Sequence, residues 1–454
     1  MNQDTKALQA ERAQLYSDFF NNRIPHRMPV SLMLPNDYYA HYGNIDSIDA
    51  QYNVAKLKEA VLSLSEKIYS DSCPYTPVNL VGTRPPMIYQ ILGSQSFVMG
   101  KNGNMQHPEV SGMEDSEYAE LIDHPLDFLI EKVIPRQYKN LNFIEHPVTA
   151  MRTFYTAQQA LNDDTMASLP AYGAALEAQG YYPGAPMGSG TWSEAPFDFV
   201  ADQLRGFSGT SKDIRRHRSE LKEAAEAVLP LVYHWGLPDN PHSEGCVMMP
   251  LHMPTFMREK DFADLWFPTF KTMLEQLAAK GVRALIYCED DWMRYLDYLY
   301  ELPAGTRMWF EYGDPQTIKD KLGKKHLIQG LYPLSMLKQG TPQECVDKAK
   351  DLLDIMLPGG GYLFDFDKMI LTHNDAKLEN LIALTEFLRD YAVYDNAGEA
   401  FGTPLNSEGF VFSDTVIRPV TSRYMANGAD FLAANPLASK HAGDRYEQIG
   451  RAHV

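Results

Sequence analysis

Several apolar runs in this chain end in groups that could do chemistry. Residues 283–288 lead into Glu289, Asp290 and Asp291, and residues 307–310 lead into Glu311. The run 246–251 stops at His252, and 362–366 ends among Asp365, Asp367 and Lys368. Short continuous apolar runs bounded by turn signals read as buried parallel strands. Polar groups at the exits of successive strands face one opening, and neighbouring strands lie about 4.8 Å apart. One imidazole and two carboxylates so arranged form a catalytic zinc shell with an open position. The candidate metal ligands are therefore His252, Glu289 and Glu311, with Asp365 and Asp367 as acids or outer partners. Side chains alternate along a strand, so Glu289, Asp290 and Asp291 do not all point inward. At least one of the two aspartates is expected to cap the segment starting at Trp292.

Aromatic side chains flank the same strand ends. Trp192, Phe197, Trp292, Tyr38 and Tyr39 could line a slot for a flat substrate, beside Asn36 and Asp37 after the first strand. The substrate-binding candidates are Trp192, Tyr38, Trp292 and Asn36. His326 stands at the amino end of its strand, away from the mouth, and reads as structural. His373, in the final loop, and His107, in GNMQHPEV, read as loop residues.

Positioning these groups requires strands alternating with helices. The strand candidates are 28–34, 86–92, 187–192, 246–251, 283–288, 307–310, 326–330 and 362–366. Between them lie helical patterns at 53–69, 117–165 (interrupted by Pro125 and Pro135), 211–228 and 260–280. Residues 93–112 read as a polar insertion. Gly281 suits the position after a helix end. Thr341, Pro342 and Glu344 make a capping box with proline at the first helical position. That helix runs to about Met356, and Asp375 is expected to cap the last one. Eight strand–helix units suit a (β/α)8 barrel, an α/β fold whose catalytic groups come from the carboxyl ends of its strands. The expected organisation is an N-terminal helical extension over 1–27, a barrel over 28–395 and an irregular extension over 396–454 packing on the barrel. No GxGxxG turn follows the first strand, which argues against dinucleotide binding.

With 41 Lys+Arg against 59 Asp+Glu, the net charge of -18 argues against a basic nucleic-acid or anionic-membrane surface. No run approaches the roughly 20 apolar residues of a membrane span, and the first residues lack a signal-peptide core. A cytoplasmic location is the expectation. The four cysteines have no zinc-ribbon or disulfide-framework spacing and are expected to be reduced.

Over roughly residues 20–395 the chain resembles the uroporphyrinogen decarboxylase superfamily. The segments that carry the likeness are IPHRMPVSL, then FADLWFPTFKTMLEQLAAKGVRALIYCEDDW with LGKKHLIQGLYPLSML, and GTPQECVDKAKDLLDIMLPGGGYLF. The decarboxylases of that superfamily carry an arginine-rich motif near the first strand. This chain has PVSLMLPNDYYAHYG there, without arginine. The thiol-methylating, corrinoid-dependent branch uses His-x-Cys after strand five and Cys after strand eight. Here Glu289 stands where the first of those cysteines would be. Cys288 is one residue out of phase, and strand eight ends FDFDK. Harder oxygen and nitrogen ligands suit a Lewis-acidic zinc and an oxygen leaving group. The resemblance thus implies a zinc-dependent methyltransferase of the O-demethylase type. Such an enzyme moves a methyl group from a methoxylated aromatic to the cobalt of a corrinoid on a separate protein. Zinc is the implied cofactor, and the corrinoid protein and an aryl methyl ether are the implied partners. A homodimer, a non-aromatic methyl donor and a decarboxylase-like lyase stay open.

Overall fold

The computed structural model describes residues 3–77, 85–101, 103, 105–184 and 191–424. The polar insertion forms a small antiparallel hairpin of β1 (Val98–Met99) and β2 (Met105–Gln106). The apolar runs form a parallel sheet of six strands in sequence order: β3 (Thr191–Trp192), β4 (Cys246–Leu251), β5 (Arg283–Asp291), β6 (Arg307–Tyr312), β7 (Leu327–Tyr332) and β8 (Tyr362–Phe366). Helices such as Arg218–Gly236, Phe267–Ala279, Pro315–Leu322 and Pro342–Met356 separate the strands, so the fold is α/β. Two single parallel bridges, Leu34 to Tyr75 and Ser72 to Tyr182, link segments that precede β3.

Several expectations are corrected. Residues 86–92 are a helix, not a strand. Pro86 takes its first position, and Gly93, at φ +68°, ends it in the left-handed conformation. A seven-residue apolar run does not by itself separate the two structures. Residues 28–34 form no strand, only the single bridge from Leu34 to Tyr75; the strand-like pairing of the next segment falls at 72–75, inside SDSCPY, where prolines and short polar residues hide it. Of the expected strand at 187–192, positions 187–190 lie outside the described residues, and 191–192 is a strand. The strand after His326 starts at Leu327. Asp375 closes a capping box with Thr372 on a short turn, and Lys377 precedes the last helix, Leu378–Tyr391. The expected helical pattern at 117–165 resolves into short helical pieces and one 33-residue helix, Pro147–Gln179. The Thr341 capping box forms as expected.

Alternation gives the sheet two faces. Val247, Met249, Leu251, Ala284, Ile286, Cys288, Met308 and Phe310 join the large core beneath the helices. Cys246, Met248, Leu285, Tyr287 and Trp309 form a second core on the opposite face, with Trp192 and Met369 against it. The amino end of this second face is polar but closed. Arg307 donates to Gln329 Oε1 at 3.0 Å, and both terminal nitrogens of Arg283 donate to the Phe20 carbonyl at 3.2 Å. Phe20 belongs to the helix Gln3–Phe20, whose end therefore plugs this side.

A buried carboxylate ties that helix to the next segments. Asp71 accepts from Arg27 at 2.6 and 2.8 Å, from Arg12 at 3.2 Å, from the Tyr69 hydroxyl and from the Val30 amide. Beyond Asn396 the described chain is irregular, with one short turn, Ser407–Gly409. It buries Phe401 against Phe19 and bonds Ser413 to Gln276 and Arg423 to Asp127. Among the described residues no helix is long and apolar enough to cross a membrane.

Candidate active site at the strand ends

The face that holds Tyr287 and Trp309 determines which strand-end residues share an opening. Two residues on from Tyr287 is Glu289, and two on from Trp309 is Glu311. His252 continues the phase of Cys246 and Met248, and Asp365 and Asp367 share one phase on β8. All five are therefore on the second face, and Cys288 is on the first, buried beside Ile286. At the end of β5 the register slips between Cys288 and Asp291, and Asp290 adopts φ +62°. Such a bulge re-aims its neighbours. It directs the Asp290 amide onto Glu311 Oε2 at 2.7 Å. Asp291 accepts from the Met293 amide at 2.8 Å, but the turn Met293–Tyr295 has Trp292 at its N-cap and no side-chain cap, so the expected aspartate cap does not form.

His252 is held from both sides. Its Nδ1 lies 2.6 Å from Asp202 Oδ2, and its Nε2 lies 3.1 Å from Glu289 Oε1. Burial alone would lower the imidazole pKa, but the hydrogen bonds to Asp202 and Glu289 outweigh it and lift it to about 11. Asp202 was not among the expected site residues. It comes from a helical segment after β3, Pro196–Phe199, that continues into a wide turn over Val200–Arg205. Wide helical turns of this kind are frequent at functional sites.

Glu194, just before that segment, and Asp198 and Asp202 on it are spaced four residues apart, a spacing visible in the sequence. Asp198 accepts from the His252 amide at 3.0 Å and from the Trp266 indole at 2.7 Å. Glu194 accepts from Gln203 at 2.7 Å through Oε1, while its buried Oε2 has no hydrogen-bond partner. Burial, then the charge of Asp202, pushes the Glu194 carboxyl up to about 8. The same two causes raise Asp198.

The remaining expected residues separate into two groups. Glu311 pairs with Lys368 at 2.6 Å, so it is not turned onto the His252–Glu289 pair. Asp365 accepts from Gln329 at 2.8 Å and from the Phe366 amide, and burial raises its carboxyl to about 6. Asp367 accepts from the Leu334 amide at 2.8 Å and is also raised by burial. Glu311 and Asp367 border a cleft of about 400 Å³, together with Tyr312, Leu331 and Pro333. Trp192 packs at the edge of the second core.

Trp292 does not line a slot: it is fully buried among Phe262, Trp266 and Tyr295, and its indole donates to the Glu289 carbonyl. Tyr38 is likewise buried, with its hydroxyl on the Ala376 carbonyl. Asn36 is half-buried at the start of the helix Asn36–Tyr42. The neighbouring Asp37 binds the His373 ring at 2.7 Å, and His373 stacks on His41. The aromatic floor beneath the acids is instead Tyr287 and Trp309, with rings 4.6 Å apart and polar atoms bonded to the Asp367 and Phe366 carbonyls.

His326 is buried at the amino end of β7, and burial lowers its pKa to about 3. His107 stacks on Phe97 in the hairpin region.

Among the described residues no group of three or more His, Cys, Asp or Glu converges as a ready metal cage. The His252–Glu289 pair is nevertheless the right size for two ligands of one ion. The 3.1 Å between them is the length of an N–H···O hydrogen bond, and two donors about 2.0–2.1 Å from a tetrahedral zinc, roughly 3.3 Å apart, would need only a small further separation. The sequence matches no protein-family model and no curated protein.

Proposed function

We propose that this chain is a zinc-dependent methyltransferase built as a (β/α)8 barrel. In this reading, the 28–34 and 72–75 segments and the six parallel strands make up the eight staves. It transfers a methyl group from an aryl methyl ether to the cobalt of a corrinoid carried by a separate protein. The observation that carries the reading is the chain Asp202–His252–Glu289. A carboxylate on Nδ1 fixes the tautomer and orientation of a ligating histidine and leaves Nε2 for the metal. His252 and Glu289 would hold zinc, with Glu311 as the third ligand once it turns from Lys368.

When bound, zinc supplies Lewis-acid stabilisation of the ether oxygen, which makes the phenolate a better leaving group. The protein side chains do the rest. Trp192, partly buried at the edge of the second core, would give the aromatic ring an apolar contact, with Tyr287 and Trp309 packed beneath it. Lys368, freed from Glu311, balances negative charge at the mouth. With the corrinoid protein docked, the methyl carbon would pass to cobalt(I), which would supply the bonding pair, while the carbon–oxygen pair would stay on the phenolate. Asp367 is assigned as the acid that returns a proton to that oxygen. Asp365, backed by Gln329 and Arg307, stiffens the strand beneath it.

Metal analysis of the purified protein tests the ligand set. About one zinc per chain is expected, and it is lost in Glu289→Ala and in His252→Ala. A metal-free protein that still transfers methyl groups would refute the zinc mechanism.

A further inference from the structure

Among the described residues, the helix Pro147–Gln179 buries one face. Ala150, Ala157, Ser168, Ala171 and Ala175 are its buried residues. At 100° per residue these share one side. On the opposite side, Val148, Met151, Tyr155, Asn162, Met166 and Leu169 fall within about 60° of arc. Among the described residues nothing covers this stripe. Val148 is 71% exposed, Tyr155 63%, Met151 60%, Met166 55% and Leu169 39%. Two exposed apolar patches, 148–155 and 166–169, flank a polar centre of Gln158, Gln159 and Asn162, and exposed apolar patches mark contact sites.

The stripe also specifies its occupant. Its intervals run 3, 4, 7, 4, 3 and read the same in both directions. The positions mirror about a midpoint between Gln158 and Gln159: apolar Val148 falls opposite Leu169, Met151 opposite Met166, and at the centre Tyr155 falls opposite Asn162. Steps of three and four are the seam of a two-helix coiled coil. A mirrored seam is complementary to itself when a second copy is laid against it in the opposite direction, and a twofold interface requires this self-match.

Charge follows the same symmetry. Arg152 and Asp163 are both exposed, lie on the same flank of the stripe, and make no ion pair within the chain among the described residues. Turning a second copy about the midpoint brings its Asp163 opposite residue 154, within one helical turn of Arg152. The central pair becomes a tyrosine hydroxyl facing an asparagine amide, a polar layer of the type that fixes register.

We propose that the 148–169 stripe is a homodimer interface, with two copies paired antiparallel about a twofold axis crossing between Gln158 and Gln159. Sedimentation of the full chain reads the assembly. The expected result is a dimer. In the double variant Met151→Glu with Met166→Glu, four charges enter the seam, and the dissociation constant rises by at least about a hundredfold. Its circular dichroism stays unchanged, because both side chains are exposed in the single chain. Arg152→Asp weakens the dimer, and Arg152→Asp with Asp163→Arg restores it.

Crosslinking reads the register, since all four native cysteines are buried. With a short bis-maleimide, Gln158→Cys joins two copies. Val148→Cys alone does not, because its two copies lie roughly 30 Å apart at 1.5 Å per residue, but Val148→Cys with Leu169→Cys does. A monomer at tens of micromolar, a dimer indifferent to the glutamates, or crosslinking by Val148→Cys alone would each overturn the proposal.

Discussion

Replacing Glu194 by glutamine should stabilise the protein in alkaline solution. The folded carboxyl is 6% exposed, has one oxygen without a partner and is shifted to about 8 from an ordinary 4.5. An unfolded glutamate loses its proton near 4.5, and the folded one keeps it until about 8. Between those values the unfolded state binds fewer protons, so stability falls as pH rises through that window and levels off above it. At about 1.4 kcal/mol per pH unit the full penalty approaches ~5 kcal/mol. Relaxation around the charge reduces it to the order of 2–4 kcal/mol.

Glutamine keeps the acceptor used by Gln203 and carries no charge to bury. Unfolding entropy of about 2.1 cal/mol/K per residue amounts to roughly 1 kcal/mol/K for a chain of this length. The variant should therefore melt about 2–4 °C above the parent at pH 8.5 and show no gain at pH 4. Calorimetric scans across that range decide the matter. A variant that melts lower at pH 8.5, or a gain of equal size at both pH values, would refute a buried, neutral Glu194.

Other expectations follow from the same contacts. Asp71→Ala strips the shared partner from two buried guanidinium groups, Arg12 and Arg27. A broken buried pair costs about 3–5 kcal/mol, read as a fall of several degrees in the melting midpoint. Asp202→Asn leaves His252 Nδ1 without its carboxylate, and zinc affinity should drop about 10–100-fold in a chelator competition. Cys288→Ala should leave zinc content unchanged, because this thiol packs with Ile286 on the sheet face away from the site; colorimetric zinc release checks this.

The alternation of side chains made much of the site legible. Once 283–288 and 307–310 were read as strands, period two alone put Glu289 and Glu311 on one face and Cys288 on the other. The same count would have found Tyr287 and Trp309, each two residues before an acid. The Glu194, Asp198 and Asp202 spacing was also visible, but only a tertiary contact shows that Asp202 reaches His252. Trp292 and Tyr38 were misplaced because nearness to a strand end does not fix direction. Trp292 turns back into the core, where its indole finds a carbonyl. The segment at 72–75 was illegible because its pairing rests on single bridges rather than on an apolar run. The Lys368–Glu311 pair was invisible because it joins strands β6 and β8 across the opening.

The central claim is methyl transfer at the His252–Glu289 pair. The most direct measurement mixes the protein with a reduced corrinoid protein and a panel of methyl donors, and follows the absorption change as cobalt becomes methylated. The account predicts methylation with aryl methyl ethers, release of the matching phenol, and loss of both with Glu289→Ala. No methylation from any aromatic ether, with a corrinoid protein shown to accept methyl groups from another enzyme, would contradict it.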